Sequence, residues 1–122
     1  MIRVLLADDH PTVRQALQQL LAGVHDIECV ATAANGADAV EQTRRHNPDV
    51  VIMDISMPIL DGIAATTLIR NHHPNTQIII FSGAASPDLQ NKATNAGATA
   101  YLLKDDHPHK LLTAIRNAAT NA

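Results

Sequence analysis

The chain has 122 residues, of which 46% are hydrophobic and 17% charged, and its formal net charge at pH 7 is −3. This length fits one domain with a core of its own, so we expect residues 1–122 to form a single domain. The mild negative charge gives no field that would attract nucleic acid or an anionic membrane surface, so we expect this segment to bind neither directly.

The sequence carries no sign of secretion or of membrane insertion. Its single cysteine, Cys29, cannot form an internal disulfide, and the apolar run around it favours a small buried side chain. The apolar start Ile2–Ala7 is shorter than a signal peptide, and no stretch approaches the ~20 apolar residues of a membrane span. We therefore expect a cytoplasmic protein.

Short apolar runs alternate with amphipathic segments along the sequence. In chain order, the runs predict strands at Ile2–Ala7, Ile27–Ala33, Val50–Asp54, Gln77–Phe81 and Ala98–Leu103. The spacing of apolar and capping residues predicts helices at Pro11–Gly23, Gly36–His46, Gly62–Asn71, Ser86–Asn95 and Pro108–Ala119, with Asp61 and Ser86 as N-caps of the third and fourth. Five successive strand–helix pairs imply an α/β fold with a five-stranded parallel sheet and helices on both faces.

Chemically active side chains follow four of the predicted strands. They are Asp8 and Asp9 after the first strand, Asp54 at the end of the third, Ser82 after the fourth and Lys104 after the fifth. The carboxyl ends of parallel strands lie at one edge of a sheet, so we expect these five residues to form one site.

Three carboxylates in one site repel each other strongly, and a hard divalent cation would offset the repulsion. Mg²⁺ suits this role because it takes oxygen ligands and needs only a few of them from the protein. Together with Lys104, the cation would neutralise charge on a transferred phosphoryl group. Asp54 is then the candidate nucleophile.

Five features occur in the order and at the spacing found in one known family. They are the pair Asp8-Asp9, the segment Met53–Gly62 around Asp54, Ser82, Tyr101 and Lys104. Over essentially the whole chain, the sequence resembles the receiver domain of bacterial two-component response regulators. The resemblance implies the flavodoxin-like (βα)5 receiver fold, and a 4-aspartylphosphate at Asp54 formed from a sensor histidine kinase or a small acyl phosphate.

The resemblance also implies a role for each residue of the site. Asp9, Asp54 and the backbone carbonyl of Ser56 would ligate Mg²⁺, with Asp8 acting through water. Lys104 would pair with the phosphoryl group. Ser82 would hydrogen-bond it, and Tyr101 would turn inward as Ser82 moves. The surface altered by phosphorylation would be the fourth helix, the last strand and the last helix.

Two short segments resemble the NarL/FixJ-like (LuxR-type) subgroup, whose receivers precede a helix-turn-helix output domain that regulates transcription. They are Ala7-Asp8-Asp9-His10-Pro11 and Leu102-Leu103-Lys104-Asp105. The sequence ends at Asn121-Ala122, so a single-domain phosphorelay protein and a segment preceding an output domain both stay open. A phosphorylation-dependent homodimer through the last helix–strand–helix face stays open as well.

The sequence departs from the family pattern beside the lysine. Asp105 follows Lys104 where many receivers have proline, which removes the usual reason for a cis peptide bond. His107 stands where a capping serine is common before the last helix, so we expect Asp106 to cap that helix instead.

Two other classes of protein share part of this pattern of residues. A phosphatase of the haloacid-dehalogenase type would place a second carboxylate two residues after the nucleophile, where this chain has Ser56. A pseudo-receiver that works without phosphorylation stays an alternative, although every chemical position is filled. We expect no turnover of an external substrate, only self-phosphorylation and autodephosphorylation.

Overall fold

Five strands and five helices alternate in the computed structural model, which describes residues 1–120. The strands are β1 (Ile2–Ala7), β2 (Ile27–Ala33), β3 (Val50–Met53), β4 (Gln77–Ser82) and β5 (Ala100–Leu103). The helices are α1 (Pro11–Ala22), α2 (Gly36–His46), α3 (Gly62–His72), α4 (Pro87–Ala96) and α5 (Pro108–Thr120). Asn121 and Ala122, part of the predicted single domain, lie outside the described residues.

All five strands pair in parallel in one sheet of order β2-β1-β3-β4-β5, which confirms the predicted fold. The chain first winds from β1 to β2 and then reverses through β3 to β5. This reversal separates the loops after β1 and β3, and the crevice between them is where open parallel sheets place their ligands.

Successive residues of the strands face two separate cores. Val4 and Leu6 of β1 pack towards α1 and α5, in the cluster that contains Leu17 and Ile115. Leu5 and Ala7 point the other way, towards the side chains of α2, α3 and α4. Because both faces of the sheet are covered, its central strands are apolar at consecutive positions, and this is the pattern that predicted them.

Three strand boundaries differ from the prediction, and one of them is the end of β4, which extends one residue further, to Ser82. β5 begins at Ala100 rather than Ala98, because the chain after α4 is still completing the end of that helix. Gly97 adopts φ +107°, and the amide of Ala98 donates to the carbonyl of Ala93 at 3.0 Å. β3 ends at Met53, although the amide of Asp54 still donates to the carbonyl of Ala7 at 2.9 Å.

Helix capping confirms two predictions and contradicts one. Asp61 and Ser86 accept backbone hydrogen bonds at the starts of α3 and α4, as predicted. The prediction that Asp106 caps α5 is wrong. The cap is instead His107, whose Nδ1 accepts a hydrogen bond from the His109 amide at 3.1 Å. The Asp106 carboxylate accepts from the Leu103 amide at 3.1 Å. The Asp106 side chain therefore points towards the end of β5, where it bonds to the Leu103 amide, and not towards the start of α5.

The prediction of a buried cysteine is only partly correct, since Cys29 is half-buried. It lies on β2, an edge strand, and its thiol contacts the carbonyl of Ala31 at 3.5 Å. Burial raises the pKa of this thiol. Within residues 1–120, no helix is both long and apolar enough to cross a membrane.

Candidate functional site

Two buried carboxylates lie side by side at the carboxyl edge of the sheet. Asp8 follows β1 and is 2% exposed, and Asp54 follows β3 and is 4% exposed. The hydrogen bond from the Asp54 amide to the Ala7 carbonyl ties the two strand ends together. Parallel pairing thus brings together two carboxylates that are far apart in the sequence, as predicted.

Lys104 joins both carboxylates. Its Nζ lies 2.8 Å from Asp8 Oδ2 and 3.2 Å from Asp54 Oδ2. The Lys104 amide donates to the carbonyl of Ser82 at 2.8 Å, so the β4–β5 pairing fixes the backbone that carries this side chain. The lysine therefore reaches Asp8 and Asp54 from the end of β5, where the sequence had predicted it.

The charges in this pocket shift the pKa values of the interacting groups. Burial and then the charge of Asp8 raise the pKa of Asp54, against the opposing effect of Lys104. Burial alone would lower the pKa of Lys104, but the hydrogen bond to Asp8 and the charge of Asp54 outweigh it, so that pKa is raised. Lys104 therefore stays charged. Its single charge does not fully offset the burial of Asp54 and the charge of Asp8, so a further cation would stabilise the Asp54 carboxylate.

The third carboxylate, Asp9, has an oxygen without a hydrogen-bond partner among residues 1–120. Asp9 Oδ1 is buried, and although His10 Nδ1 lies 3.0 Å away, the two do not have hydrogen-bond geometry. Asp8, Asp9, His10 and Asp54 can each present one ligand atom, all within 4.8 Å of one another. A buried oxygen without a partner, in a cluster of hard oxygen donors, fits a divalent cation.

The loop after β3 is held close to Asp54 by a glycine. A Cβ atom on Gly62 would lie 1.8 Å from the carbonyl oxygen of Asp54, so no other residue fits there without displacing that backbone. The Gly62 amide donates to the carbonyl of Ile55 at 2.8 Å. Ser56, the predicted source of a carbonyl ligand, lies in this loop and lines the same pocket as Asp54 and Lys104.

Ser82 and Tyr101 both bond to the backbone of Ala84. The Ala84 amide donates to Ser82 Oγ at 3.1 Å, and the Tyr101 hydroxyl donates to the Ala84 carbonyl at 2.8 Å. Ser82 is buried and lines the pocket of Asp54, whereas Tyr101 is half-buried. The loop after β4 thus links the pocket to the side chain of Tyr101.

Sequence reasoning missed two residues of this site. The sequence predicted no role in this site for His10 or Arg14. In the structure the Arg14 guanidinium donates to the backbone carbonyl of Asp8. The His10 amide donates to Asp8 Oδ1 at 2.9 Å. The acidic pair directly before a helix start was the available signal, since side chains of the first turn lie beside it.

A parallel (βα)5 sheet with three carboxylates, a lysine and a hydroxyl at its carboxyl edge defines the class of two-component receiver domains. The chain belongs to the response regulator receiver domain family, whose family model matches residues 4–116.

Relatives within this family include response regulators of the LuxR family. The chain is 38% identical to an uncharacterized transcriptional regulatory protein, YxjL, of Bacillus subtilis, over 97% of this chain and 54% of that one. The receiver domain of the putative response regulator NarL from Mycobacterium tuberculosis matches with a TM-score of 0.94 and 30% identity, over 99% of this chain and 98% of that one. A DNA-binding response regulator of the LuxR family from Staphylococcus aureus matches with a TM-score of 0.92 and 33% identity, over 98% of this chain and 99% of that one.

The chain spans about half the length of the curated relatives that it matches. What those proteins do as wholes therefore also depends on the half that this chain does not match.

Proposed function

We propose that this chain is the phosphorylation-switched receiver of a two-component response regulator, which accepts a phosphoryl group on Asp54. The observation that carries the proposal is the buried pair of Asp8 and Asp54 joined by one Lys104 ammonium. A structural ion pair would need only one carboxylate, and burying a second beside it is costly unless the site has a use for it.

Asp54 is oriented for nucleophilic attack. Its Oδ1 accepts from the Ile55 amide at 2.9 Å, which leaves Oδ2 beside the Lys104 ammonium. In the proposed reaction a carboxylate oxygen of Asp54 bonds to phosphorus as the bond from phosphorus to the donor breaks, and the donor leaves with that electron pair. Lys104 neutralises charge on the phosphoryl oxygens and stays protonated throughout, consistent with its raised pKa.

Asp9, Asp54 and the Ser56 carbonyl would hold Mg²⁺, with Asp8 bound to it through water. When bound, this cation would screen the three carboxylates and the incoming phosphoryl group from one another. The partnerless oxygen of Asp9 supports this assignment.

Ser82 would carry the signal away from Asp54. A phosphoryl oxygen would compete for the Ser82 hydroxyl, which now accepts from the Ala84 amide. Loss of that contact would free the backbone of Ala84 to move. The hydrogen bond from Tyr101 to the Ala84 carbonyl would then weaken, and the tyrosine could turn inward. The surface of α4, β5 and α5 would change as a result, and that change would act on an output domain regulating transcription, or on a partner.

A groove beside the acceptor suits a sensor histidine kinase. It lies between α1 and α5, has a volume of about 540 Å³, and is lined chiefly by Val13, Leu17, Leu20, Phe81, Leu111 and, at one end, Lys104. Lys104 also lines the pocket of Asp54, so the two cavities adjoin. A kinase helix seated in the groove would bring its phosphohistidine to the acceptor.

The proposal is tested by incubating the chain with acetyl phosphate and Mg²⁺ and measuring its intact mass beside an Asp54→Ala variant. We expect one phosphoryl adduct that requires Mg²⁺ and is missing from the variant. No adduct on folded protein, together with no response to beryllofluoride, would instead indicate a pseudo-receiver.

A further inference from the structure

Arg14 contacts the short acidic loop of residues 8–10 between β1 and α1. Side chains of a helix point back towards its start, and the Arg14 guanidinium reaches the backbone carbonyl of Asp8, to which it donates. Among residues 1–120, no other group donates to that carbonyl. Arg14 lines neither the pocket of Asp54 nor the groove between α1 and α5, so its charged end faces the loop and not the reacting groups.

The other polar groups of Asp8 are fixed by bonds of their own. Its amide donates to the carbonyl of Ala33 on β2 at 3.0 Å. Its carboxylate accepts from the His10 amide at 2.9 Å and lies 2.8 Å from Lys104 Nζ. Arg14 therefore supplies the bond that holds the remaining group, the carbonyl.

The direction of this carbonyl affects where the next residue, Asp9, places its side chain. The Asp8 carbonyl and the Asp9 amide belong to one rigid, planar peptide group. A rotation of that plane changes the φ angle of Asp9 and, with it, the direction of the Asp9 carboxylate. Asp9 Oδ1 is buried without a hydrogen-bond partner, so no bond of its own holds it in place within residues 1–120.

We propose that Arg14 is a positioning residue of the cation site, which holds the Asp9 carboxylate ready for Mg²⁺ by fixing the Asp8–Asp9 peptide group. The inference rests on the cation site of the proposed function. It opposes the simple electrostatic expectation, because a cationic side chain near three carboxylates repels a second cation. Removal of the guanidinium should therefore weaken Mg²⁺ binding if it positions a ligand, and strengthen Mg²⁺ binding if only its charge matters.

Calorimetric titration with Mg²⁺ separates these two effects in Arg14→Met, which keeps an apolar stem and a good helix former but loses the donors and the charge. We expect the Mg²⁺ affinity to fall about tenfold, as is usual when the partner of a metal ligand is removed. Arg14→Lys keeps a donor and a charge, and should recover most of the affinity. Arg45→Met, which removes an exposed arginine from α2, measures the effect of lowering the net charge alone.

Labelling by acetyl phosphate gives a second readout. In Arg14→Met the Mg²⁺ concentration for half-maximal labelling should rise by the same factor, whereas the rate at saturating Mg²⁺ should stay within about twofold of wild type. An Mg²⁺ affinity of Arg14→Met equal to or above that of wild type would overturn the inference and leave the proposed function standing, even if the variant melts at a lower temperature. Wild-type protein that binds no Mg²⁺ would contradict the proposed cation site itself.

Discussion

Ionised Asp54 lowers the stability of the fold. Its carboxyl is almost fully buried beside Asp8, and burial is the main reason that its pKa is raised. A group whose charged form is disfavoured in the folded state destabilises the fold when ionised at neutral pH. A cation bound beside the Asp54 carboxylate would therefore stabilise its ionised form and, with it, the fold.

Replacing this carboxyl with an amide should make the domain more stable in the absence of divalent ions. In EDTA at pH 7, we expect Asp54→Asn to raise the melting temperature by a few degrees, because the charge repelled by Asp8 is gone. Adding Mg²⁺ should raise the melting temperature of the wild type more than that of the variant. Calorimetry with and without Mg²⁺ measures both effects, and an Asp54→Asn variant less stable than wild type in EDTA would contradict this electrostatic account.

At the scale of elements, the junction of β3 and α3 is fixed by backbone contacts. Gly62 begins α3 with its Cα against the Asp54 carbonyl, so the helix start and the acceptor share one close contact. A second glycine, Gly36, is held in the same way against the carbonyl of Leu60, where a Cβ atom would lie 2.0 Å from the oxygen. These two glycines thus hold the loop of residues 54–61 by close backbone contacts near both of its ends.

A methyl group at Gly62 should damage both fold and phosphorylation. We expect Gly62→Ala to lose about 1–3 kcal/mol of unfolding free energy, the usual cost of overpacking, and to slow labelling by acetyl phosphate. Gly83→Ala is the matched control, because a Cβ atom there meets no atom within 4 Å. Urea denaturation and intact mass measure the two effects, and equal behaviour of the two variants would show that the contact is easily relieved.

The ion pair between Asp26 and Arg116 ties α5 to the start of β2. Arg116 donates to the two carboxylate oxygens of Asp26 at 2.8 and 3.1 Å, and this hydrogen bonding is the main cause that lowers the pKa of Asp26. A carboxyl with a depressed pKa contributes stability above its unfolded pKa of about 4, and loses it as pH falls through the folded value.

Arg116→Gln should therefore lower the melting temperature slightly at pH 7, with little effect below about pH 3. Asp26→Asn should act similarly, and the double variant should cost less than the sum of the single ones because the pair is lost only once. Thermal melts of the four proteins across this pH range measure the coupling. A difference that persists unchanged in acid would assign the effect to packing of the arginine stem.

Much of the fold and of the site followed from sequence because both depend on periodic and topological features. Consecutive apolar residues marked strands covered on two faces, and parallel topology then required Asp8, Asp54 and Lys104 to meet at one edge. The cap of α5 and the contacts of His10 did not follow. They depend on which side-chain rotamer satisfies a particular backbone amide or carboxylate, and spacing along the chain does not encode that choice.

At the scale of the whole molecule, the pocket of Asp54 adjoins two separate surfaces. The groove between α1 and α5 meets it at Lys104, and the loop after β4 leads from it to Tyr101. In the proposed function, the phosphoryl group would thus enter on one side of this pocket and the signal would leave on the other.

The entry surface can be tested apart from the chemistry. Ala16 is an exposed residue of α1 that lines the groove, and glutamate suits a helix, so Ala16→Glu should fold normally. We expect it to slow phosphotransfer from the cognate kinase about tenfold while the rate with acetyl phosphate stays unchanged. Gln15→Glu adds the same charge on α1 outside the groove lining and should transfer normally. Equal kinase rates for the two variants would place kinase docking elsewhere.

The exit surface carries a built-in probe, because Tyr101 is the only tyrosine and the chain has no tryptophan. The measurement that tests the switch most directly is therefore tyrosine fluorescence during titration with beryllofluoride and Mg²⁺. We predict a saturable change in emission that is missing in Asp54→Asn and weakened in Ser82→Ala. Unchanged emission in wild type at saturating beryllofluoride and Mg²⁺, in protein that acetyl phosphate labels fully at Asp54, would contradict the claim that this receiver is switched through Ser82 and Tyr101.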